Sequence, residues 1–157
     1  MTLRPRRVLW PTDFSELSTK AGRYARGLRD VFGCEVHVIH VIPPALAPDV
    51  SVMIPAEVPL TVEDPGLLES ARTRLEKLAE ETFGSRTGIV VEVFYGNPWM
   101  TICEYARRQE IDLIVTATHG RTGLSHLFIG STAERIVQHA PCPVLTVKQE
   151  QREFLVD

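Results

Sequence analysis

No apolar run in this 157-residue chain approaches the roughly 20 residues that a membrane-spanning helix requires. The basic start Arg4-Pro5-Arg6-Arg7 leads only into a short apolar stretch that meets Pro11 and Asp13, so no signal peptide is expected. Cysteine is scarce as well: Cys34, Cys103 and Cys142 lie far apart, with no CxxC pair and no Cys/His cluster. That pattern argues against a disulfide framework or a structural zinc site. Reduced thiols in a cytoplasmic protein are the expectation, each behaving as a small buried hydrophobe rather than a redox sensor. A strong excess of one charge is also missing, since 17 basic and 20 acidic residues give a formal net charge of -3. Neither nucleic acid nor an anionic membrane is therefore an expected partner. The phosphate signatures GxxxxGK[ST] and GxGxxG are absent, and no internal repeat is visible.

What the chain does have is strand and helix signals in strict alternation. Arg7 to Pro11, Glu35 to Val41, Ile89 to Tyr95, Leu113 to Ala117 and Val144 to Val147 are short Val/Ile/Leu-rich runs closed by turn residues. Near-continuous apolar runs of this length fit strands covered on both faces, as in a parallel sheet. Between them lie helical periods. After Ser15 as N-cap, Leu17, Ala21, Tyr24, Leu28 and Val31 form one stripe before Gly33 stops the helix. Leu68, Ala71, Leu75, Leu78 and Thr82 mark a second helix from about Pro65 to Phe83. A third follows Pro98 with Trp99, Ile102, Cys103 and Ala106 inward, and a fourth from Ser131 presents Ala133, Ile136, Val137 and Ala140.

This alternation implies right-handed βαβ crossovers and an α/β, single-domain, open doubly wound sheet spanning residues 1–148. Residues 43–64, with Pro43, Pro44, Pro48, Pro55 and Pro59 and few charges, read as a long mobile connection: a lid, a partner surface or a functionless insertion. Residues 149–157 form a charged tail expected to fray.

The segment from Ala117 to Thr132 carries the chemistry. It leaves a strand, makes a loop through His119-Gly120-Arg121, and enters a helix at Gly130-Ser131-Thr132. Unpaired amides and the positive end of the helix dipole suit an anion there. Gly130 would let a phosphate approach the backbone, Ser131 and Thr132 add hydroxyls, Gly120 permits an unusual backbone conformation, and Arg121 supplies a cation. A plain strand–loop–helix connection explains the same glycines. Asp13, just past the first strand in Pro11-Thr12-Asp13-Phe14-Ser15, could accept bonds from ribose hydroxyls or help hold a metal, or could simply cap local amides. Open α/β sheets bind ligands beyond the carboxyl ends of strands, where the winding reverses. His119 and His126 read as bystanders, and the phosphate loop holds no lysine.

These residues resemble the universal stress protein family. Val8 to Ser15, His40-Val41-Ile42, His119 to Leu124 and Ala140-Pro141-Cys142-Pro143-Val144 carry the likeness over nearly the whole length. The resemblance implies a five-stranded sheet of order 3-2-1-4-5 with helices on both faces, an adenine nucleotide alpha hydrolase-like fold. Homodimers paired through the last strand, Val144 to Val147, are implied too. In the ATP-binding branch the loop reads G-x2-G-x9-G-[ST], which maps here onto Ala117, Gly120, Gly130 and Ser131. Alanine stands where that branch has its first glycine, placing a methyl where backbone would meet ribose or phosphate. By resemblance Asp13 contacts ribose, Val41 lines the adenine pocket, and Gly120, Gly130, Ser131 and Thr132 contact the phosphates of ATP carried with Mg²⁺. Pro11, Thr12, Arg121 and Ala117 complete the expected set. The expected function is ATP-dependent regulation of a stress response, with at most slow hydrolysis. A nucleotide-free homodimeric interaction module is the alternative, and a true ATPase stands third.

Overall fold

The computed structural model describes residues 4–44, 64–119 and 130–152. Among them β1 (Arg7–Pro11), α1 (Glu16–Phe32), β2 (Glu35–Ile42), α2 (Pro65–Phe83), β3 (Ile89–Tyr95), α3 (Pro98–Arg108), β4 (Leu113–Ala117), α4 (Ser131–His139) and β5 (Val144–Val147) follow in order. The strands form one parallel sheet of order β3-β2-β1-β4-β5. Strand β2 runs one residue beyond the expected end at Val41. Of the proline-rich connection expected over 43–64, residues 45–63 lie outside the described residues.

Alternation along the strands sends side chains into two cores. Val8, Trp10, Val36, Val38, Val115 and Ala117 meet Ala21, Tyr24, Ala25, Ala71 and Leu75 of α1 and α2. On the opposite face Leu9, Ile39, Val41 and Ile114 meet Ile102, Cys103, Tyr105, Ala106 and Ile136 of α3 and α4. Burial on both faces is why these strands read as unbroken apolar runs. Tyr105, absent from the expected inward set of α3, is buried because its hydroxyl pairs with His37 Nδ1 at 2.8 Å.

Two expected core positions are corrected. Val31 is 75% exposed and Val137 is 50% exposed. Helix α1 buries Ala21 and Tyr24 of the expected stripe, with Leu17 and Leu28 packed against the core, and adds Ser18, Gly22 and Ala25. The added positions face Trp10. Its indole N–H donates to the Ser18 carbonyl at 3.0 Å, and its ring fills the space beside Gly22. Val31, on the last turn, lies beyond that contact. In α4 the buried positions are Ala133 and Ile136. Arg135 and His139 flank Trp99 of α3, and Val137 stays half exposed to solvent.

The described part of the tail does not fray. Lys20 Nζ donates to Gln149 O at 3.2 Å, and Gln151 Nε2 donates to the Tyr24 hydroxyl at 2.8 Å. The cysteines are free, with Cys34 and Cys103 buried. Burial raises the pKa of all three thiols, which lowers their thiolate fraction and reactivity. No helix among the described residues is long and apolar enough to cross a membrane.

A Cβ at Gly22 would lie 2.8 Å from Trp10 Cε2 and nearer still to Cζ2 and Cη2. Gly22→Ala is therefore expected to overpack this contact and cost about 1–3 kcal/mol. Thermal melts should show a loss of roughly 2–4 °C per kcal/mol for a chain of this size.

Candidate functional site at the carboxyl ends of β1 and β4

Strands β1 and β4 are neighbours from which the chain winds in opposite directions, so the switch point of the sheet lies between them. Their ladder is short. β1 pairs with β2 over five positions, but with β4 only at Val8↔Leu113 and Leu9↔Ile114. Backbone groups of a parallel strand face alternate neighbours, and Thr12 donates its N–H to Ile39 O of β2 at 2.9 Å. The preceding position therefore faces β4, and it is Pro11, which has no N–H to give. The β1–β4 ladder stops there.

The β1–α1 turn is built at that opening. Thr12 is 5% exposed, and its hydroxyl oxygen accepts from Ser18 Oγ at 2.7 Å and from Phe14 N at 3.1 Å. Its carbonyl accepts from His40 Nδ1 at 2.7 Å. Thr12 thus pins the turn to α1 and β2. Asp13 Oδ1 accepts the Ser15 amide at 3.0 Å, and Ser15 Oγ then caps α1 through Ser18 N. The local capping role for Asp13 is present. Phe14 has φ 65°, a left-handed conformation that costs a non-glycine residue roughly 1–2 kcal/mol.

Across the opening, Gly130 is the N-cap of α4 with no side-chain cap bond, while Ser15, Asp64 and Asn97 cap α1, α2 and α3 with their side chains. The first intrahelical bond there is Glu134 N to Gly130 O, so the amides of Ser131, Thr132 and Ala133 precede the helix's own bonding. Ser131 and Thr132 are exposed. Gly130 donates to Thr118 O at 2.7 Å, and a Cβ there would lie 3.1 Å from that oxygen. A tight backbone approach thus already accounts for glycine at 130, independently of any phosphate.

Ala117 is 9% exposed and belongs to the core against α1 and α2. Ala117 is the last residue of β4, and it shares that core cluster with Val115 and Val147. Val41 is 7% exposed on the α3/α4 face, beside Ile39 and Ile102. Pro11 is buried. Gly120, Arg121 and His126 lie outside the described residues. His119 Nδ1 meets Thr118 Oγ1 at 3.1 Å, and its Nε2 is buried. Sequence reasoning missed Ser18 and the role of His40, although His40 stood within a quoted motif.

Among the described residues no group of three or more His, Cys, Asp or Glu could hold a metal. A cavity of about 530 Å³ lined by Arg6, Arg7, Gly33, Glu35, Glu110 and Asp112 sits at the opposite, amino end of the strands. Its charges are mutually engaged: Arg7 meets Glu35 at 3.6 Å and Glu110 at 3.5 Å, and Asp112 accepts the amides of Arg6 and Arg7.

Fold and site together define an open, doubly wound α/β protein with a crevice at its switch point. Residues 5–148 match the family model described as Universal stress protein family, and the chain belongs to that family. It is 35% identical over 150 residues to a universal stress protein of Methanocaldococcus jannaschii, covering 94% of this chain and 85% of that one. The solved universal stress protein UspA from Lactobacillus plantarum is similar at TM-score 0.73 and 26% identity, covering 93% of this chain and 99% of that one. A universal stress protein from Archaeoglobus fulgidus, solved in complex with dAMP, shares the fold at TM-score 0.59 and 18% identity, covering 94% of this chain and 100% of that one.

If the missing amide at Pro11 is what ends the ladder, Pro11→Val restores a donor aimed at β4. Hydrogen exchange followed by NMR should then show a protected amide at position 11, with the β1–β4 pairing one step longer.

Proposed function

We propose that this chain binds an adenine nucleotide, ATP with Mg²⁺, and acts through that binding as a stress-response regulatory protein rather than as a catalyst. The observation that carries this is the pairing of Asp13 and the uncapped start of α4 on adjacent strand ends, where Pro11 stops the ladder. Amides at a helix start suit phosphate oxygens, and a carboxylate suits ribose hydroxyls. The fold is also one in which a relative was solved with dAMP. In this arrangement Ser131, Thr132 and Gly130 receive phosphates with Gly120 and Arg121 from the loop, Asp13 receives the ribose, and Val41 and Pro11 border the base. Thr12 and Ala117 serve as framework. Mg²⁺ would arrive on the phosphates, with Asp13 available as a carboxylate ligand, since Mg²⁺ keeps water and phosphate ligands in preference to protein cages.

Regulation fits better than turnover. Efficient phosphoryl transfer needs placed cations and an oriented nucleophile. The loop from Ala117 to Thr132 contains no lysine, and Glu134 sits exposed in the first turn of α4, where it favours the helix dipole.

A second copy of the chain is the fitting partner, paired along β5. Val144, Leu145 and Thr146 are half-buried at the end of the sheet, and Val137, 50% exposed, extends that edge with an apolar side chain. An unpaired strand edge with an adjoining apolar residue is a template for pairing. Val137→Glu is expected to shift the protein from dimer to monomer in analytical ultracentrifugation while leaving its thermal stability nearly unchanged.

Nucleotide binding is tested best with Ser131→Asp, because an acid in the first turn favours the helix by about 0.3–1 kcal/mol while repelling phosphate. ATP with Mg²⁺ at a hundred times its dissociation constant should stabilise the wild-type protein by about 2.7 kcal/mol. The shift should vanish in Ser131→Asp, whose unliganded melting temperature stays at or above that of the wild type. A wild-type melt indifferent to millimolar ATP would sink the proposal.

A further inference from the structure

Phe14 occupies a backbone conformation that a bulky residue leaves unless its surroundings hold it there. Three contacts do so. Its amide donates to Thr12 Oγ1 at 3.1 Å, its ring packs on the His40 imidazole with centroids 4.5 Å apart, and the Arg74 guanidinium carbon lies 4.2 Å from its ring centroid. His40 is itself fixed, because the Thr12 carbonyl only accepts, so Nδ1 carries the hydrogen of their 2.7 Å bond. On its outer side the ring borders a cleft of about 280 Å³ shared with Thr19, Arg74, Lys77, Leu78 and Glu81. A cation from α2, rather than the core, therefore closes the clamp on that side.

We propose that Phe14 is a positioning residue of the nucleotide site, clamped between His40 of β2 and Arg74 of α2 so that the left-handed turn holds the Asp13 carboxylate toward a ribose. This rests on the assignment of Asp13 to the ribose. Asp13 is joined to Phe14 by one peptide, and relaxation of Phe14 to negative φ swings that peptide and the Asp13–Ser15 bond with it. Helix α2 thereby gains a hold on the ribose end of the site and none on the phosphate end. Loss of the clamp should weaken nucleosides and leave bare polyphosphate untouched.

The experiment measures binding of ATP and of inorganic tripolyphosphate to the full chain by calorimetry. Phe14→Ala should weaken ATP about tenfold, the loss of one charged hydrogen bond. Arg74→Ala should weaken it about two- to fivefold, as for an exposed cation–π contact. Phe14→Tyr and Arg74→Lys, which keep the ring and the cation, should bind as the wild type does. Tripolyphosphate affinity should hold constant throughout. If Phe14→Ala fails to fold, Arg74→Ala carries the test alone, while Phe14→Gly, which adopts positive φ without strain, should lose less ATP affinity than Phe14→Ala. Unchanged ATP affinity in the Phe14 variant overturns the clamp, and so does a parallel fall for both ligands, which marks general destabilisation. A wild-type protein that takes tripolyphosphate but shows no preference for ATP overturns the ribose assignment itself, and that failure is visible before any variant is made.

Discussion

Between β1 and β4 the parallel ladder ends at Leu9 and Ile114, because the next amide of β1 that would face β4 belongs to proline. Everything distinctive about the site is arranged around that missing donor. On the β2 side, the Thr12 amide is still bonded to Ile39, so the chain stays in the sheet on one flank while it is released on the other. The turn that follows can then be pinned entirely through Thr12, by Ser18 and His40, without closing the gap toward β4. A residue with an N–H at position 11 would bond the two strands together over the very stretch where a ligand of an open α/β sheet is received.

Strand boundaries were legible because the central strands are buried on both faces and even the edge strands remain rich in Val, Ile and Leu. Helix α2 was legible from its two ends, Pro65 in the first turn and Gly84 in the left-handed C-cap. The inward face of α1 was legible in part: Leu17, Ala21, Tyr24 and Leu28 do face the core, but periodicity weighs bulky residues and passed over Ser18, Gly22 and Ala25, the positions beside the ring of Trp10. The positions of Asp13 in the β1–α1 turn and of Gly130 at the start of α4 were legible from the strand and helix pattern. The direction of the Ala117 methyl could have been read from parity, since Val115, two residues earlier, faces the same core. The contacts of Phe14 could not. They join β1, β2 and α2 across long sequence separations, and a positive φ at phenylalanine leaves no mark in composition or period.

Gly130 shows how one residue can answer two demands. Its amide is spent on Thr118 O, and the same close approach excludes a side chain. A substitution there would disturb the β4–α4 connection whether or not a phosphate binds, so loss of binding in such a variant carries little information. The exposed Ser131 is free of that ambiguity, and the chemistry of the first turn lets charge be changed there without a cost to the helix.

Helix α4 joins the two proposed surfaces. It is nine residues long, buries Ala133 and Ile136, and starts without a side-chain cap. Its amino end lies at the crevice, and its Val137 is 50% exposed. A short helix of this kind draws much of its stability from partners at its ends and sides rather than from its own propensity. Phosphate at the uncapped amides would supply the missing cap and firm the helix along its whole length, Val137 included. Under the proposed function the same nine residues therefore tie occupancy of the crevice to the order of the pairing edge, and the physical link is the helix backbone itself, not a chain of side chains through the core.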